Sequence, residues 1–94
     1  MYAVAFDLVV KDAKAHHPSG SPTQAYADIR KILVDQHDFE WRQGSLYTTD
    51  NEDMAKLFAA INDLKATGWF PACVKDIRAF RVEQWSDFTA FVKS

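Results

Sequence analysis

Asp7 is the lone acid in the run from Tyr2 to Val10, where every other residue is apolar and many are β-branched or aromatic. A carboxylate in such a strand is costly unless it is paired, hydrogen-bonded or bound to a metal. If it lies near a two-fold axis, Asp7 from each of two copies could share one divalent cation or one proton, an arrangement that activates water or a hydroxyl. A structural account stands open beside it, in which a strand-end carboxylate accepts bonds from loop amides or pairs with Arg78 or Arg81. Asp76 and Arg78 fall on one side of a β-rich stretch and read as an intrastrand ion pair. The functional alternative puts Asp76 beside Asp7 at an interface between copies. Ser45 follows Gly44, where a serine ordinarily satisfies turn backbone, yet its hydroxyl could hold a phosphate. Lys11 and Arg42, at strand ends, could clamp a phosphodiester, although each is individually an ordinary surface cation.

Other chemistries lack their residues. There is no phosphate-binding glycine loop, no dinucleotide fingerprint and no nucleophile elbow. His16 and His17 are adjacent, without the i, i+4 spacing of a helical metal pair, and read as solvated loop histidines without a role. His37, in Asp35-Gln36-His37-Asp38, could act as a general acid but fits better as a helix-end residue complementing the dipole. The single cysteine, Cys73, can form no internal disulfide and sits in no zinc-type spacing, which suits a reducing cytoplasm. Phe58, Phe80, Phe88 and Phe91 read as core residues rather than base-stacking platforms.

The elements that must position these residues follow from period and punctuation. Tyr2 to Val10 is a strand covered on both faces. Lys11 to Ser19 has no period and leads to Gly20-Ser21-Pro22, which predicts an exposed loop. Ser21, Pro22 and Gln24 supply an N-cap, a proline at the first helical position and a capping-box glutamine, and Tyr26, Ile29, Ile32 and Leu33 keep helical spacing over about 22–36. Phe39 to Arg42 and Ser45 to Thr48 alternate around a tight Gln43-Gly44 hairpin turn. Thr49 with Glu52 predicts a second capping box, ahead of Met54, Leu57, Phe58, Ile61 and Leu64 in helical register up to Gly68. A fourth strand spans Cys73 to Glu83, and Ser86 is the expected cap of a short last helix reaching Val92.

The order β-α-β-β-α-β with a short C-terminal helix predicts an α+β, ferredoxin-like fold, an antiparallel sheet with two helices on one face, over a single domain 1–94. Of the 94 residues 48% are hydrophobic and 26% charged, which excludes disorder and a multidomain enzyme. The balance of 11 Lys plus Arg against 13 Asp plus Glu, a formal net charge of −2, leaves no broad basic surface for duplex nucleic acid, so any RNA contact must be local. The start of the chain has no basic segment and meets an acid after a few apolar residues, which reads as neither signal peptide nor membrane span. Two helices cover only one face of such a sheet, and a chain this small buries only about 60–65% of its unfolded surface. A symmetric homodimer covering the other face is expected.

Several segments carry a family resemblance: Met1-Tyr-Ala-Val-Ala-Phe-Asp7-Leu8, Gln43-Gly-Ser-Leu-Tyr-Thr48, Asn51-Glu-Asp-Met-Ala-Lys-Leu-Phe58, and Asp76 through Phe88. Over essentially its whole length the chain resembles virulence-associated protein D, VapD. The resemblance implies a ferredoxin-like homodimer, similar in fold to the small CRISPR-adaptation ribonucleases, acting as an endoribonuclease and in some members as the toxin of a toxin–antitoxin pair. It implies Asp7, Ser45 and Asp76 as cleavage-site residues, with Lys11 close to the strand-one loop. The leading expectation built on it is RNA cleavage at a dimer interface, with Asp7 as the base or as ligand to a divalent cation such as magnesium, Lys11, Arg42 and Arg78 holding the RNA phosphate, and a protein antitoxin as partner. One departure stands out: the CRISPR group ends strand one in Tyr-Asp, where this chain has Phe6-Asp7, so no tyrosine hydroxyl role carries over. The competing expectation is a non-catalytic dimeric module that binds an antitoxin or nucleic acid.

Overall fold

The structure, a computed structural model, describes residues 1–94. Strand β1 (Tyr2–Leu8) runs at the centre of one four-stranded antiparallel sheet of order β2-β3-β1-β4, with β2 (Glu40–Gln43), β3 (Leu46–Thr49) and β4 (Val74–Arg81). This is the ferredoxin-like arrangement that the element order predicts. Val4, Phe6 and Leu8 of β1 join Tyr47 of β3 in the core, against Ile29 and Leu33 from one helical segment and Leu57, Ala60 and Leu64 from another. Tyr2 packs against that core from the same side, while Ala3, Ala5 and Asp7 alternate to the opposite face.

Helix α2 (Pro22–Arg30) starts as its sequence dictates: Ser21 Oγ accepts from the Gln24 amide at 3.2 Å with Pro22 in the first turn. It does not stay α-helical to residue 36. Lys31–Gln36 widens into a turn of π type, which rotates Leu33 into the core and ends at Asp38, a non-glycine residue at φ 60. Aspartate tolerates that left-handed corner, from which the chain enters β2. Gly44, at φ 49, closes the β2–β3 hairpin, and the Trp41 indole N–H donates to its carbonyl at 2.9 Å.

Other expectations are corrected. The stretch after β1 is not a loop: Val10–His16 forms helix α1, hidden in the sequence because Ala13 is its only buried residue and so leaves no apolar period. Helix α3 (Met54–Ala66) is capped by Asp53, whose side chain accepts from the Ala55 amide at 2.9 Å. The Thr49–Glu52 box does not form, because the Glu52 carboxylate pairs with the amino group of Met1 and with Arg81. A four-residue helix α4 (Phe70–Cys73) precedes β4, its first amide received by Thr67 Oγ1 at 3.0 Å. The last helix, α5 (Thr89–Lys93), takes its side-chain acceptor from Asp87 and not from Ser86.

The aromatic expectation also fails. Phe58, Phe80, Phe88 and Phe91 are 71%, 46%, 68% and 78% exposed. In α3 the same helical period serves two stripes, and the core takes Leu57, Ala60 and Leu64, which turns Met54 and Phe58 outward. His17 departs the other way. It is buried, with Nε2 2.7 Å from Asp28 Oδ2, and Nδ1 accepts the Ser19 amide at 3.1 Å, so Nε2 carries the proton in the neutral ring. No helix is long and apolar enough to cross a membrane.

Candidate active site

The face of the sheet turned away from the helices carries most of the candidate residues. In the β1–β4 register Asp7 stands directly opposite Asp76, and Ala5 opposite Arg78. Two carboxylates facing each other across strands repel, and such a pair is held only by compensation from cations, a shared proton or solvent. Arg78 compensates one of them, its Nε 3.0 Å from Asp76 Oδ2, which is the intrastrand pair that the spacing predicts. No ion pair reaches Asp7.

This corrects the premise on which Asp7 first drew attention. The residue is not buried in an apolar strand but exposed on the open face, because the alternating Ala3 and Ala5 count as apolar in sequence yet cover nothing. Its pairing with Arg78 or Arg81 is absent as well, since Arg78 turns to Asp76 and Arg81 to Glu52. Asp76 lies beside Asp7 within one chain, without needing a second copy.

Ser45 arrives from the other side. Its carbonyl accepts the Phe6 amide at 3.3 Å, so the hairpin tip is tied to β1 one residue before Asp7. A shallow depression lined by Asp7, Asp76, Arg78 and Phe80 adjoins a second one lined by Ser45, Gly44 and Gln43, the two sharing Ala5, Phe6 and Phe80. Asp7, Asp76, Arg78 and Ser45 are thus brought to one end of the open face. Lys11 is displaced from its expected strand end into the first turn of α1, where it is exposed.

Arg42 is not part of this cluster. On β2 its Nε donates to Thr48 Oγ1 at 2.7 Å, its terminal nitrogen lies 2.9 Å from Glu40, and its guanidinium sits 4.9 Å from the centre of the Trp85 ring. Trp85 belongs to the segment that leaves β4 at one sheet edge and crosses the open face toward β2 at the other, which leaves Ala3 and Thr48 fully buried on that face. Trp41, Trp85 and Phe88 line a cleft with Arg42 there, and that cleft meets the hairpin depression at Gln43. The sequence reading gave Trp41 and Trp85 no role and assigned Phe88 to the core. Their signal is the polar setting of Trp85, between Gln84 and Ser86-Asp87, which no core strand or helix would carry.

Two further groups are settled by their surroundings. Cys73 is buried, its thiol pushed up by desolvation and then by Asp12, so it is no nucleophile. His37 caps the wide turn as a helix-end residue and bonds Asp63 at 2.7 Å. No group of three or more His, Cys, Asp or Glu side chains is arranged to hold a metal ion. Asp7 and Asp76 alone make a donor pair of the sort that magnesium accepts together with waters and phosphate oxygens.

No family model matches the chain. An endoribonuclease VapD homolog of Neisseria gonorrhoeae is 63% identical over 94 residues, spanning all of both chains. The endoribonuclease VapD of Haemophilus influenzae is 55% identical over 94 residues, again covering both completely. That of Dichelobacter nodosus is 48% identical over 94 residues, with 99% of this chain and 98% of that protein aligned. At such identity over full length, the chain belongs to the endoribonuclease VapD family.

Proposed function

We propose that the chain cleaves RNA phosphodiester bonds at the Asp7–Asp76 pair, working as a homodimer in the cytoplasm. The observation that carries this reading is the direct cross-strand opposition of Asp7 and Asp76 on the open face, with Ser45 tied to the same strand end. Asp7, free of any ion pair, is the base that takes a proton from the attacking hydroxyl or water. Asp76 is oriented by Arg78, whose exposed guanidinium can also reach a phosphate oxygen. Ser45 offers a hydroxyl to the scissile phosphate, and Lys11 and Arg42 steady the strand on either side. Where a divalent cation such as magnesium binds, Asp7 and Asp76 hold it, and it supplies positive charge against the phosphate. A second copy facing the open sheet brings its own Asp7 toward this one. A protein antitoxin, restraining the enzyme as a toxin, belongs to the same reading.

The test is cleavage of a labelled single-stranded RNA by wild-type protein and identically purified Asp7→Asn, with added magnesium and with chelator. Activity is expected to fall at least about 100-fold in the variant, the scale of losing a positioned general base. Loss in the chelator lanes assigns the cation to the pair. Equal cleavage by both proteins would refute the assignment, and stoichiometric binding without turnover would leave a dimeric binding module in its place.

A further inference from the structure

We propose that the cleft between the β2 edge and the chain-crossing segment is a stacking seat for an unpaired nucleobase of the RNA, with Trp85 as its platform. This rests on the reading that the chain cleaves RNA. The cleft, about 510 Å³, is lined by Trp41, Arg42, Trp85 and Phe88, a combination of aromatic planes and a guanidinium that suits the π-face of a base. Trp85 is 38% exposed, and Arg42 is fixed near it by Thr48 and Glu40, so the platform is held in place while part of its surface stays open. Trp41 is fixed in turn, the Arg30 guanidinium lying 3.9 Å from its ring centre and its N–H bonded to Gly44.

The position of the cleft selects its occupant. It joins the hairpin depression at Gln43, and that depression joins the carboxylate depression through Ala5, Phe6 and Phe80, so one groove runs from Trp85 past Ser45 to Asp7. Two strand spacings, roughly 10 Å, separate β1 from β2, a span that one or two nucleotide steps cover. An RNA strand lying along this groove with its scissile phosphate at Asp7 puts a neighbouring base over Trp85. Duplex RNA cannot do so, since its bases are stacked on one another. The one acid in the cleft, Asp87, has its carboxylate engaged by the Thr89 amide at 2.9 Å. With a net charge of −2 and no basic surface, base stacking also supplies the affinity that phosphate contacts alone would not.

The experiment titrates wild-type protein, Trp85→Ala, Arg42→Gln and Asp7→Asn with a short single-stranded RNA protected from cleavage by 2′-O-methylation, which removes the 2′-hydroxyl as nucleophile, and by chelator, which withdraws any cation that would activate water. A matched strand, abasic throughout, has the same phosphates. Tryptophan fluorescence and anisotropy read binding, and sedimentation reads mass. Wild-type emission is expected to be quenched by the base-bearing strand, which binds roughly tenfold tighter than the abasic one. Trp85→Ala should lose that preference, Arg42→Gln should weaken it, and Asp7→Asn should keep it. Equal affinity of the wild type for both strands, or an undiminished preference in Trp85→Ala, overturns the proposal. A change of mass in Trp85→Ala would overturn it too, by giving the seat to a second copy of the chain. Because the strand cannot be cut, base-dependent binding by a protein that never cleaves native RNA would sink the cleavage reading and leave this seat standing.

Discussion

Replacing Asp7 with Asn removes one of two carboxylates that face each other across β1 and β4. Relief of that repulsion is worth about 0–1 kcal/mol, so Asp7→Asn is expected to melt at the wild-type temperature or up to ~6 °C higher in calorimetry. A clear drop would return Asp7 to a structural role. The position of this residue was legible from sequence as the odd acid in an apolar run; its exposure was not. Composition counts alanine with valine and phenylalanine, whereas the pleat sorts them, giving Val4, Phe6 and Leu8 to the core and Ala3, Ala5 and Asp7 to the open face. Asp76 and Arg78 were legible as a pair, but that they stand opposite Asp7 depends on β-sheet register, which no local pattern encodes.

Among the elements, the connection from α1 to α2 has the plainest chemical dependence. Asp28 is partly desolvated, which alone would raise its pKa, yet hydrogen bonds from Gln24 and His17 and the nearby charges hold it below the usual carboxylate range. A carboxyl depressed in the fold contributes stability that is complete above its unfolded value, near pH 4, and is lost as the pH falls through the lower folded value. Asp28→Asn is therefore expected to cost about 1 kcal/mol at pH 7, discounted for its partial exposure, and almost nothing well below pH 3. Thermal melts of both proteins across that range check it; a pH-independent difference would mean that the charge is irrelevant. Strands, hairpin and the helix over Met54–Ala66 were readable because each has its own period or turn residue. Helices α1 and α4 were not, being only seven and four residues long, with a stability that comes from what they pack against.

At the level of the molecule, the monomer leaves Phe91 and Val92 of α5 exposed, apart from the residues that line the groove. That apolar surface supports the proposed homodimer. Wild-type protein is expected to sediment as a dimer at micromolar concentration, and Phe91→Ser to shift the equilibrium toward monomer by tenfold or more, with a concentration-dependent melting temperature. A wild-type monomer would exclude the dimeric site. The sequence reading reached the open face by counting layers, but it assigned Phe91 to the core, since an apolar residue at helical spacing reads the same whether it meets its own chain or another.

The alanine floor of the groove bears on small-molecule inhibition. Ala5 keeps the floor between Ser45 and Asp7 shallow, and the carboxylate end offers little enclosed apolar surface, so a compact ligand seated at Asp7 would remain largely in water. Shape and lipophilicity are available only where the chain folds back over its sheet at Trp85. A useful inhibitor would have to anchor an aromatic ring there and extend a cationic arm along the floor, which makes it an elongated molecule by necessity.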